Sequence, residues 1–198
     1  MIVQTLDDKR HCLGVYHDGK LIYECDEFDF NAITATWNYN PIFQQKPATI
    51  ASLLVQNKSL MEVCPEYLKT RWETISARLQ AFHKSFTTAK VSLNVNCFYD
   101  IVPERFLLEY CELKNQITKH VIENNAIPSN YDFLRELSAF AHDIRQNKLN
   151  IDYRRIARDS HKLKVKNFIN KNMKSSPHVS YNIFGTKTGR LTTNKGFF

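Results

Sequence analysis

This chain of 198 residues predicts a mainly helical α+β fold. The expected parts are a small N-terminal β-hairpin or meander, a helical region built on a long αα-hairpin, and a C-terminal β-hairpin. Three observations carry this. Leu68, Trp72, Ile75, Leu79, Phe82 and Phe86 recur at intervals of four, three, four, three and four, which makes one apolar face over about five helical turns. Phe106, Tyr110, Leu113, Ile117 and Val121 repeat the pattern at four, three, four and four. Near the N-terminus, His17-Asp18-Gly19-Lys20 separates Leu13–Tyr16 from Leu21-Ile22-Tyr23, and Asp-Gly between two apolar runs is a strong hairpin signal.

Taken in order, residues 2–24 read as strands, with Val3, Thr5, Leu13, Val15 and Tyr16 as good strand formers. His17 beside Asp18 reads as turn chemistry, not a catalytic pair. Residues 25–46 form an acidic, aromatic loop, with Asn31 or Thr34 opening a short helix. From Pro47 to Gln56 a short helix is expected, with Ile50, Leu53 and Leu54 inward. Pro65 suits the first turn of the next helix and Glu66 its positive end. Trp and Phe on that helix favour packing on a globular body over a coiled-coil seam, with His83 at the rim. Residues 89–101 read as extended, through Val91, Leu93, Val95 and Phe98. Pro103-Glu104 then starts a long helix ending near Asn124-Asn125, with Glu109, Glu112, Lys114, Lys119 and Glu123 on its outer faces. Pro128 breaks the chain, Ser129 to Asp132 suggests a capping box, and the next helix presents Phe133, Leu137, Phe140 and Ile144. These last two helices form the expected αα-hairpin. His142-Asp143 alone is poor evidence for a metal site.

Two more helices are expected near 151–159 and 161–173, burying Ile151, Tyr153, Ile156, Leu163, Val165, Phe168 and Ile169 with the cations outside. Lys174-Ser175-Ser176-Pro177 ends the second. From Arg145 to Phe198 there are thirteen Lys/Arg against two acids, Asp152 and Asp159, a net of +11, whereas the first 144 residues carry −4 and the whole chain +7. A positive end on an acidic body calls for a polyanionic partner. Apolar residues at 43% and charged residues at 24% are ordinary for a globular protein. No apolar run reaches the roughly 18 residues of a membrane span, and the N-terminus does not read as a secretory signal. Five scattered cysteines, Cys12, Cys25, Cys64, Cys97 and Cys111, show no Cys-x-x-Cys spacing, so reduced thiols in a cytoplasmic protein are expected.

The last stretch carries the functional signal. Val179, Tyr181 and Ile183 alternate with His178, Ser180 and Asn182, as in a half-buried strand. Gly185 and Gly189 permit turns that other residues resist. Around them stand Thr186, Lys187, Thr188, Arg190, Thr192, Thr193 and Lys195, the residue types that donate to phosphates. A phosphate-binding P-loop fits poorly: the interval from Gly185 to Gly189 is one residue short, and Arg190 stands where Lys followed by Ser or Thr is needed.

Tyr181-Asn182 followed by Thr188-Gly189-Arg190-Leu191-Thr192-Thr193, with Thr186 two residues earlier, resembles the start of the polymerase domain in family A DNA polymerases, the group of bacterial DNA polymerase I and many phage replicases. About a dozen residues match closely in type and spacing; the helices before them match the family's thumb only loosely. The resemblance implies residues 1–100 as a degenerate or vestigial pre-thumb region, 101–177 as thumb-like and 178–198 as the start of the palm. It implies primer–template DNA as partner in DNA replication, in a bacterial or phage-infected cell. Lys187, Thr188, Arg190 and Lys195 would contact the backbone, Gly189 would allow its close approach, and Asn182 and Thr186 would be hairpin or template-strand contacts. Lys162, Lys164 and Lys166 would extend the DNA-binding surface. The nucleotidyltransferase chemistry of that family needs Mg2+ held by palm carboxylates that follow this signature. No catalytic residue, metal ligand or cofactor is therefore expected on this chain, and a separate palm-and-fingers chain is a possible partner. The Lys-Gly-Phe-Phe end fits a fragment, a split-gene product or an interrupted reading frame. A proofreading exonuclease is not expected, because Asp26-Glu27 lacks the Asp-x-Glu spacing. The alternatives are a stand-alone basic helical accessory protein that binds nucleic acid without catalysis, or a module whose aromatic helix docks a partner.

Overall fold

The computed structural model describes residues 1–8, 11–23, 29–43, 48–93, 96–173, 178–186 and 190–193. The chain divides into two compact units, Met1–Arg135 and Glu136–Phe198. The division falls inside a helix, Tyr131–Gln146.

The first unit is built on a five-stranded sheet. Strands β1 (Ile2–Asp8), β2 (His11–His17) and β3 (Lys20–Ile22) form an antiparallel meander, and β4 (Ala35–Thr36) and β5 (Thr49–Ile50) add in parallel on the other side, giving the order β3-β2-β1-β4-β5. Asp18 and Gly19 both take positive φ, 44° and 78°, as the tight Asp-Gly turn between β2 and β3 requires. Central β1 is buried on both faces. Leu6 joins Tyr16 on one face in the main core, while Val3 joins Val15, Ile33, Phe43 and Ala48 on the other. A bulge between Leu6 and Asp7 breaks the register.

Helices cover the first face. After short α1 (Ala51–Leu54) and α2 (Leu60–Val63) come α3 (Glu66–Thr88), α4 (Phe98–Ile101) and α5 (Glu104–Asn124). Leu68, Trp72 and Ile75 of α3 pack with Phe106, Leu107, Cys111, Leu113 and Ile117 of α5, with Leu79, Phe82 and Phe86 partly buried against them, as the periodicity predicts. Arg78 bridges the pair, donating to Glu109 at 2.6 Å with its guanidinium 5.1 Å from the Phe106 ring. The ion pair is half exposed and contributes at most about 1 kcal/mol. Packing of the aromatic rings carries more.

Several expectations are corrected. The extended segment over 89–101 is not formed among its described residues. Instead α3 ends in a Schellman motif, with Lys90 at φ 57° donating to Thr87 O and Val91 donating to Phe86 O, and Phe98 begins a helical turn. Thr34 opens no helix; it precedes β4, and a 3-10 turn spans Phe30–Ala32. Ile50 lies in β5, one residue before α1, and Pro47 and Val95 lie outside the described residues. Lys114, expected on an outer face of α5, is only 6% exposed. The helix is covered by the sheet as well as by α3, so a second stripe (Leu107, Cys111, Lys114, Thr118) is also buried. A capping box does occur, but at Ser59 and Glu62, opening α2.

Helix α6 (Tyr131–Gln146) buries Leu134, while Phe133 and Phe140, expected inward, are 61% and 57% exposed. Leu134 lies about 100° round the helix from Phe133, so a one-residue shift of the covered face explains both. In the second unit follow α7 (Tyr153–Ala157), α8 (Leu163–Met173) and an antiparallel pair, β6 (Tyr181–Asn182) with β7 (Thr192–Thr193). No helix among the described residues is long and apolar enough to cross a membrane. Cys64, Cys97 and Cys111 are free thiols.

Burial pushes the Tyr110 hydroxyl up from 10.0 to about 12 and the Cys111 thiol up to about 12. Both groups stay protonated in the folded chain after the unfolded chain has begun to lose those protons. Their stabilisation is complete below the unfolded values and declines as pH rises towards 12. Tyr110→Phe should therefore flatten the loss of stability between pH 10 and 12 by about 2 kcal/mol, read from urea midpoints across that range. An unchanged slope would count against burial as the cause.

Candidate nucleic-acid interface

The second unit carries thirteen Lys/Arg against four acids, a net of +9. Two of those acids have local structural work. Asp152 caps α7, its Oδ1 accepting from the backbone N–H of Arg154 at 3.1 Å and of Arg155 at 3.2 Å, and its Oδ2 lies 3.4 Å from the Arg155 guanidinium. Asp159 accepts from the Lys162 ammonium at 2.8 Å, which holds its carboxyl below the ordinary range. The capping role is visible in sequence as an Asp immediately before the helical run.

Lys162 is thus partly occupied by a neighbour. Lys164 and Lys166 are exposed on α8, as are Arg154 and Arg158 nearby and Arg145 and Lys148 earlier in the unit. Among the described residues these six exposed side chains enter no ion pair. An isolated bridge joins Lys148 to His178, and the His178 ring nitrogen lies 3.0 Å from Asn147 O, which fixes the start of the terminal segment.

Val179 and Ile183 are buried, consistent with the predicted alternation. The Asn182 side-chain oxygen accepts from Phe184 N at 2.9 Å, an Asx turn that bends the chain out of β6. The Thr186 hydroxyl accepts from Arg190 N at 2.9 Å and donates to Arg190 O at 3.2 Å, closing the loop across four residues. Asn182 and Thr186 therefore shape the hairpin, and Arg190, anchored through its backbone, is exposed. Lys187, Thr188, Gly189 and Lys195 lie outside the described residues.

Gly185 is needed for space more than for a special φ. A Cβ there would lie 1.7 Å from Thr192 Oγ1 and 2.7 Å from Thr192 Cβ. Sequence reasoning assigns this glycine to turn flexibility; the neighbour that excludes a side chain is across the hairpin and not legible from local pattern.

Among the described residues no group of three or more His, Cys, Asp or Glu could hold a metal ion. The His142 ring contacts Gln146 one turn on, at 2.9 Å. Gly185→Ala should open the β6–β7 pairing at a local cost of about 1–3 kcal/mol. The expected readout is faster amide hydrogen exchange at Asn182 and Thr192, partly restored by adding Thr192→Gly; protection equal to the parent would show that the hairpin has room. Comparison with protein-family models, with curated proteins and with solved structures finds no match for this chain.

Proposed function

We propose that this chain is the pre-thumb and thumb part of a family A DNA-directed DNA polymerase, and that its basic second unit grips primer–template DNA. The observation that carries the proposal is the terminal hairpin. The Asn182, Thr186 and Arg190 spacing that resembles the polymerase signature coincides with a closed loop in which two side chains shape the backbone and the Arg is left exposed. The surrounding charge supports it: a unit of net +9 has Asp152 and Asp159 engaged by adjacent cations.

Such a surface acts by binding. Lys164, Lys166 and Arg190 would displace counterions from phosphates and hold the duplex in register, with no base readout. Nucleotide addition in that family belongs to metal-bound palm carboxylates, to which no residue of this chain is assigned. A stand-alone basic accessory protein would share the binding but not the preference for a primer–template junction.

Gel-shift titration of a primer–template duplex should show binding that weakens steeply with salt. Arg190→Ala should lower the salt slope by about one and weaken binding for every sequence alike. Lys164→Ala with Lys166→Ala should lower the slope by about two more. No shift at micromolar protein and low salt would overturn the proposal. Equal affinity for blunt duplex and primer–template would favour the accessory protein, and a changed sequence preference in the Arg190 variant would contradict phosphate contact.

A further inference from the structure

A second candidate site is built wholly from residues of the first unit. At the end of β1, between α3, α4 and α5, is a cavity of about 170 Å³ walled by Asp7, His83, Phe98, Tyr99, Phe106 and Tyr110. It is below the roughly 300 Å³ of the smallest drug-sized pockets, so a nucleotide does not fit.

The walls have a definite chemistry. His83 stacks on Phe98 with centroids 4.3 Å apart and planes 12° apart. Tyr99 meets Phe98 at 84° and 5.6 Å, and Phe106 lies nearly parallel to Tyr110 at 6.2 Å. The walls are thus mostly aromatic, and one ring, Phe106, already has the Arg78 guanidinium 5.1 Å from its centroid. One wall is anionic: Asp7 accepts from Thr5 at 2.9 Å and from Asn40 at 2.7 Å, one bond to each oxygen. Those bonds fix the carboxylate and leave lone pairs unused. Burial raises the Tyr99 and Tyr110 hydroxyls, which stay neutral at physiological pH. Lys114, one turn beyond Tyr110, is buried; desolvation lowers its pKa, and Cys111 and Asp7 oppose that lowering.

We propose that this cavity binds a small organic cation, a quaternary or alkylated ammonium of about the size of choline, held by the aromatic faces with Asp7 as its counter-charge. Aromatic rings attract a weakly hydrated cation through their quadrupole, and alkylated ammonium is the ion whose desolvation costs least. An anion would face Asp7, and among the described residues no cluster suits a metal. Rings and carboxylate each contribute modestly, so the expected affinity is weak, with a Kd of about 1 mM.

The test titrates the full chain with choline chloride and with 3,3-dimethylbutan-1-ol, its uncharged isostere, against a sodium chloride control. Trp72, whose ring is 6.0 Å from Tyr110, gives a fluorescence readout, and calorimetry gives an independent one. Choline should bind saturably and the isostere at least about tenfold more weakly; Phe98→Leu and Asp7→Asn should each weaken choline about tenfold. Equal binding of the isostere would overturn the proposal without any variant. So would the absence of saturation by about 30 mM choline, well beyond the expected Kd, or unchanged binding in a variant that melts like the parent. Because no DNA is involved, failure here leaves the polymerase reading untouched, and the reverse also holds.

Discussion

Two-sided burial of β1 is the constraint on which the first unit depends. Its backbone pairs with β2 from Gln4 to Asp8 and with β4 at Ile2 and Val3, on opposite edges. Its side chains then have only packed faces to enter. Gln4 is fully buried, and its amide nitrogen donates to Asn115 Oδ1 at 2.7 Å and to Thr118 Oγ1 at 3.0 Å, while Asn115 donates back to Ile2 O at 3.3 Å. These directional bonds fix where α5 lies along the strand, which apolar contact alone would leave free to slide. Tyr16 adds a second tie by donating to Glu112. With α5 fixed, α3 has one groove to fill, and the aromatic residues of both helices meet there.

The second unit follows another logic. Its helices are short, and among its described apolar side chains only Val179 and Ile183 are buried, so charge dominates its surface. Asp152 and Asp159 are spent locally, one capping α7 and one pairing with Lys162. The remaining cations among the described residues stand exposed, and the unit's net charge favours association with a polyanion over self-association. The terminal hairpin sits in this field with its loop closed by Thr186, so that Arg190 is presented from a constrained backbone and not from a free tail.

Much of this was legible from residue order. The apolar spacing Leu68–Phe86 and Phe106–Val121 located both long helices, and Pro103-Glu104 and Asn124-Asn125 marked the ends of the second, because one covered face repeats at 3.6 whatever lies against it. Asp18-Gly19 announced its turn, since few other pairs tolerate positive φ twice. What failed shares a cause. Lys90 ends α3 in the left-handed conformation without a glycine to signal it, and the freed chain coils into α4 where β-formers suggested a strand. Phe133 and Phe140 look like core residues by type, but the covered side of α6 lies one residue over. Of the candidate site, the strand-turn-strand outline and the exposed cations were legible, while the duties of Asn182, Thr186 and Gly185 were not.

By itself the sequence determined the helix-dominated class, the succession of N-terminal meander, long helices and terminal hairpin, and the separation of a basic end from an acidic body, because periodicity, turn chemistry and charge are properties of neighbours along the chain. The tertiary structure alone decided that Lys114 is buried, that Gly185 must lack a side chain beside Thr192, and that Asp7, His83, Phe98 and Tyr110 meet around one cavity. Each of these depends on atoms brought together from distant positions or across a hairpin, and no local pattern encodes which surfaces a helix will have covered once its partners arrive.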